Sequence, residues 1–164
     1  MNDEKGQLSG EYMLLVGSLI VVLMISIFMI ANENELNIAM AAAKSGADEG
    51  VASSSSAIYP KETFNEYDDM EGLKHPYSVS IVNVSYNSSG IDENYGKQKI
   101  QFKVYAKASA DYNKKELDSI GDRINYNLRK SVATSFNTAD STNKLYNPVF
   151  SNNYVFTTAN VVWV

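Results

Sequence analysis

The groups in this chain that could do chemistry are few, and most are carboxylates and amides. There is one histidine, His75, and no cysteine. Disulfides, thiolate zinc sites and a cysteine nucleophile are therefore excluded. A lone imidazole also makes a Ser-His-Asp triad or a histidine metal cluster a poor reading. No G-x-S-x-G elbow, Walker loop or G-x-G-x-x-G turn is present. The expectation is a protein that is not an enzyme, with no catalytic residue, no metal ligands and no cofactor. Two asparagines remain with a definite chemistry: Asn83-Val-Ser85 and Asn87-Ser-Ser89 both fit the acceptor pattern for N-glycosylation. Two acidic stretches are candidate cation sites by composition. Glu66-Tyr-Asp-Asp-Met-Glu71 reads as a solvated loop. Asp92-Glu-Asn-Tyr-Gly96 resembles the opening of a calcium loop but lacks a third ligand before its glycine and a closing glutamate.

Glu11 is the carboxylate in the most unusual setting. It stands immediately before Tyr12–Ala31, twenty residues without a charge. At 1.5 Å per residue such a helix spans about 30 Å, the thickness of a bilayer's hydrocarbon core. A segment apolar on all sides cannot be the surface helix of a soluble domain. A carboxylate at its edge is costly to bury unless paired. Glu11 can sit at headgroup level beside Tyr12, or it can meet a cationic partner in a bundle of helices.

A secretory signal peptide would have a shorter apolar core, of about 7–15 residues, ending close to a small-residue cleavage site. Ala39–Ala43 lies too far downstream. A single-pass anchor fits the length but leaves the preceding residues unexplained. Those residues, Gly6-Gln7-Leu8-Ser9-Gly10-Glu11-Tyr12 with Leu15 beyond, resemble the start of archaeal type IV pilin-like precursors with a class III signal peptide. That family is marked by Gly-Gln followed by Q-x-S-x-E-[FY]-x-x-L running into an apolar helix. The resemblance covers roughly the first third of the chain. The leader is less basic than is usual, with Asp3 and Glu4 outweighing Lys5, and Gly10 stands where a larger apolar residue is common.

The resemblance implies cleavage by a prepilin peptidase between Gly6 and Gln7, with the apolar helix retained. The helix would anchor the precursor in membrane lipid and later be buried among helices of identical or related subunits. Gln7, Ser9, Glu11 and Tyr12 would set register in the assembly, Glu11 pairing with the new amine of Gln7 on a neighbour. If that glutamine cyclises, Glu11 would need hydrogen-bond donors instead, Ser9 among them. An assembly ATPase and a membrane platform protein would drive polymerisation into an extracellular pilus used in attachment. The alternative is an anchored extracytoplasmic binding domain that never polymerises.

Helical periodicity continues past the apolar run. Leu36, Met40, Ala43, Ala47 and Val51 form one stripe, and Ala39, Ala42, Gly46 and Gly50 line an adjacent face of small residues. That face suits close packing in a filament core or against this protein's own head. The expected organisation is a leader over 1–6, a long helix over 7–52 whose membrane or filament-core segment is 12–31, a serine-rich linker over 53–60, and a head over 61–164. Ser53–Ser56 and Tyr59-Pro60 are the linker signal.

The head is predicted to be α+β, an antiparallel sheet plus one helix. Gln98–Ala108 alternates as a half-buried strand, its lysines on the outward face keeping it wet or meeting acidic neighbours in an assembly. Tyr77–Tyr86 is strand-like with a parity slip that predicts a bulge near Ile81–Val82. Asn87–Gly96 is expected as a long hairpin loop. Asn113–Phe136 reads as a helix with a capping-box start at Asn113 and Glu116. Tyr154–Val164 is expected as a strand, and Lys144–Phe150 as another interrupted by Pro148. His75-Pro76 marks a turn. Lysine plus arginine total 14 against 19 acids, a net charge of −5, which excludes nucleic acid as a natural partner.

Overall fold

The computed structural model describes residues 3–52, 78–109, 111–139 and 146–164, with side chains in the first helix from residue 10 onward. The predicted linker, the acidic loop at 66–71 and the His75-Pro76 turn lie outside these residues. Two compact units are present, Met1–Leu36 and Asn37–Val164. Helix α1 (Asp3–Ala52) contributes to both. It contains no proline, and its described residues run as one helix to Ala52.

The second unit begins with the last part of α1. Ala39, Ala42, Ala43 and Ala47 are buried, and Gly46 and Gly50 face helix α2 (Lys114–Ser135) at very short range. A β-carbon at Gly50 would stand 2.7 Å from Ile124 Cα, and one at Gly46 would stand 2.8 Å from Leu128 Cα. The small-residue face therefore packs against this chain's own second helix. Leucine-sized side chains there would hold the two backbones apart. α2 starts on the predicted capping box. Asn113 Oδ1 accepts from the Glu116 amide at 3.0 Å, and Glu116 Oε2 accepts from the Asn113 amide at 2.9 Å. Its buried stripe is Ile120, Ile124, Leu128 and Val132.

Strands β1 (Val79–Asp92) and β2 (Lys97–Ala108) form an antiparallel hairpin. Along β2, Ile100, Phe102, Val104 and Ala106 are buried while Gln98, Lys103 and Lys107 are exposed, the alternation expected of a strand with one dry face. The predicted bulge is present: pairing skips from Ile81 to Asn83 and leaves Val82 out. The hairpin loop is shorter than expected. β1 stays paired through Asn87 and Ser88, and after a second irregularity between Ser88 and Ile91, where Gly90 takes φ +82°, pairing resumes at Ile91 and Asp92. The turn closes at Asp92, whose carbonyl accepts from Gly96 at 2.8 Å and whose carboxylate accepts from the Asn94 amide at 3.0 Å. Pairing to β2 holds residues whose own strand propensity is low.

The α+β arrangement stands, but the sheet is mixed and not wholly antiparallel. Its order is β1-β2-β4-β3, with β3 at Val149–Phe150, β4 at Tyr154–Thr158 and β5 at Val162–Trp163. β4 and β5 both run parallel to β2, and β3 is antiparallel to β4. The long connection through α2 brings the chain back in the direction of β2, which a tight turn cannot do. The predicted strand over 154–164 is thus real but broken at 159–161. Of Lys144–Phe150, only Val149 and Phe150 are strand among the described residues. Phe102 and Phe156 stack with centroids 5.6 Å apart, and Phe136 stacks on Phe156 at 5.7 Å.

Candidate functional site

The first unit is an uncovered apolar helix. From Tyr12 to Ile30 nearly every side chain is exposed, with Leu14 at 77% and Phe28 at 72%. A contiguous exposed apolar surface of this kind is what lipid or a protein partner covers. Its polar side chains are prepared for that. Ser18 Oγ donates to Leu15 O at 2.8 Å, and Ser26 Oγ donates to Val22 O at 2.9 Å. Both hydroxyls are satisfied within their own helix, so neither demands water or a partner when the segment is enclosed.

Glu11 and Tyr12 are both exposed at the start of this segment. Among the described residues Glu11 has no ion-pair partner. With no counter-charge among the described residues, enclosure of this end of the helix would need one from outside them. The backbone at Gly6, Gln7 and Ser9 is helical within α1, and their side chains lie outside the described set.

The two sequons fall on β1, and the register puts them on one face. Asn83 pairs with Tyr105 and Asn87 with Gln101, whereas Val84 pairs with the buried Val104. Both asparagines are exposed on the side away from the buried row. That face also carries the lysines of β2. Lys99 Nζ lies 3.7 Å from Asp92, and Lys103 sits over the Tyr105 ring at 5.3 Å. Asp92 is thus engaged by a turn and a lysine. No group of three or more His, Cys, Asp or Glu side chains converges among the described residues.

The sequence reading passed over a polar groove beside α2. Lys114, Asp118, Asp122 and Asn125 line it from the helix, and Asn160 and Trp163 from the broken strand. Asn125 Nδ2 donates to Ala159 O at 3.0 Å and ties the break to the helix. Burial pushes the Asp122 carboxyl above its ordinary value; the Arg129 guanidinium opposes this and the Asp118 carboxylate adds to it. Burial likewise raises the Tyr126 hydroxyl, with Tyr146 adding to the shift, and lowers Arg129, against which Asp122 and Tyr126 act. Arg129 Nη1 also donates to Thr158 Oγ1. In the sequence these residues look like the wet side of an amphipathic helix. The one signal of more was Gly121, a glycine inside a helix.

No family model, curated protein or solved structure matches this chain. The long apolar helix is the feature it shares with pilins, and it is consistent with membrane anchoring or a signal sequence.

Proposed function

We propose that this chain is the precursor of a structural pilin subunit. It would be cut between Gly6 and Gln7 by a prepilin peptidase and polymerised through α1 into an archaeal type IV-like surface filament used in attachment. The observation that carries the reading is the uncovered helix from Tyr12 to Ile30, preceded by the Gly-Gln-x-Ser-x-Glu-Tyr run. An apolar surface of this extent needs lipid before assembly and neighbouring helices after it. Glu11, with no ion-pair partner among the described residues, supports the same reading, because a filament would offer it the amine of Gln7 on the next subunit. An assembly ATPase and a platform protein would supply the work. Asn83 and Asn87, exposed on the polar face of the sheet, are the proposed glycan carriers on the extracellular head.

The test is intact-mass measurement with N-terminal mapping of protein taken from membranes and filaments. A terminus at Gln7, absent in a Gly6→Val variant that accumulates as full-length membrane precursor, supports the proposal. Unchanged piliation by Gly6→Val would overturn it. A native terminus at Met1 or Asn2 would favour a membrane-anchored extracytoplasmic binding domain, and one near Ala41–Lys44 would indicate ordinary secretion.

A further inference from the structure

The groove beside α2 has a volume of about 350 Å³, within the range of small-molecule sites, roughly 300–1,000 Å³. Its shape follows from one residue. Lys114, Asp118, Gly121, Asp122 and Asn125 fall on a single face of α2, at spacings of four, three, one and three. Gly121, in the middle of that face, has no side chain, and Val161 packs over it: a β-carbon there would stand 3.4 Å from the Val161 side chain. Glycine is a poor helix former, so this close approach of the groove's opposite wall to α2 is obtained at a cost in helix propensity.

The opposite wall is equally specific. Trp163 pairs with Ala106, whose side chain is on the buried face of the sheet, so the register places the indole on the same side as α2. Asn160 comes from the break between β4 and β5. Asn125 is nine-tenths buried, and its Oδ1 has no hydrogen-bond partner although its Nδ2 is bonded to Ala159 O.

The charges select among ligands. Lys114 lines the same groove as Asp118 and Asp122, and Arg129 acts on Asp122. A cation would meet the ammonium group, and an anion would meet two carboxylates. A neutral molecule rich in hydroxyls meets neither penalty, since each hydroxyl can donate to a carboxylate and accept from an amide or ammonium. A flat aromatic ring beside such donors and acceptors suits a ligand with one apolar face.

We propose that this groove binds a neutral pyranose sugar, with Trp163 against the C–H face of the ring and Asp118, Asp122 and Asn160 hydrogen-bonded to its hydroxyls. The proposal holds whether or not the chain polymerises.

Trp163 is the only tryptophan in the chain, so its emission reports on the groove alone. The full chain, held in phosphatidylcholine nanodiscs to avoid sugar-based detergents, is titrated with the methyl glycosides of glucose, mannose, galactose and N-acetylglucosamine. At least one is expected to shift the emission saturably, with a Kd in the millimolar range or tighter. Asp118→Asn is expected to weaken that binding by about tenfold. Gly121→Leu is expected to abolish it while the circular dichroism spectrum is kept. Should Gly121→Leu unfold, Asp118→Asn, at an exposed helix position, decides alone. No shift with any of the four glycosides overturns the proposal. So does wild-type binding by Asp118→Asn, or a shift produced by calcium chloride and by none of the sugars.

Discussion

A β-carbon placed on Gly46 would lie 2.5 Å from the backbone carbonyl oxygen of Asn127. The last turns of α1 and the middle of α2 therefore meet main chain to main chain, and neither backbone can yield by changing a rotamer. Gly46→Leu is expected to destabilise the Asn37–Val164 unit by about 1–3 kcal/mol or more. Gly17, with nothing within 4 Å, is the control, and Gly17→Ala should leave the unit's stability unchanged. Urea unfolding in nanodiscs, followed by circular dichroism, separates the two.

The reciprocal bonds between Asn113 and Glu116 fix where α2 begins. Asn113→Ala removes the cap and should cost about 1 kcal/mol, lowering Tm by roughly 2–8 °C. Asn113→Asp or Asn113→Ser should retain most of the stability. Equal losses in all three variants would show that the cap contributes little.

Asp122 carries a pH dependence of defined sign. Its folded carboxyl titrates above its unfolded value, chiefly because burial penalises the charge. The stability it contributes is present below the unfolded pKa and is lost as pH rises through the folded one. The window opens at the ordinary carboxylate value and extends above it. Asp122→Asn should flatten Tm against pH across that window and leave the curve at neutral pH parallel to wild type. A slope unchanged by the substitution would show that solvent screens the group.

Glu11 is exposed and unpaired among the described residues, so its loss should not disturb the rest of the chain. Glu11→Ala is expected to insert into membranes, to be processed normally and to keep the wild-type urea midpoint. Filaments counted by electron microscopy should fall steeply, and Glu11→Asp should restore part of the count. Normal filament numbers in Glu11→Ala would remove the register role.

What the sequence disclosed was periodicity. The strand at Gln98–Ala108, the bulge at Val82 and the capped helix over Lys114–Ser135 all follow from patterns of period 2 or 3.6. What it did not disclose depends on distant partners. Asn87 and Ser88 have poor strand propensity, yet β2 holds them in register. The direction of β4 beside β2 is set by a crossover, which no local pattern encodes. The small-residue face of α1 was equally suited to a neighbour's helix, and only the position of α2 decided the matter. The groove was hidden for a related reason: the stripe bearing Asp118 and Asp122 is that of any solvated helix face until Trp163 arrives from some forty residues away.

The parallel placement of β4 and β5 along β2 also orders events during synthesis. The apolar part of α1 leaves the ribosome first and can enter a membrane at once, while β2 must wait for its second neighbour until the strands near the C-terminal end of the sequence emerge. The hairpin of β1 and β2, with one flank of β2 uncovered, is the species exposed in that interval. A chaperone or the translocation machinery has one particular surface to shield, the open flank of β2, and a chain stalled before Tyr154 would present that flank for as long as it persisted.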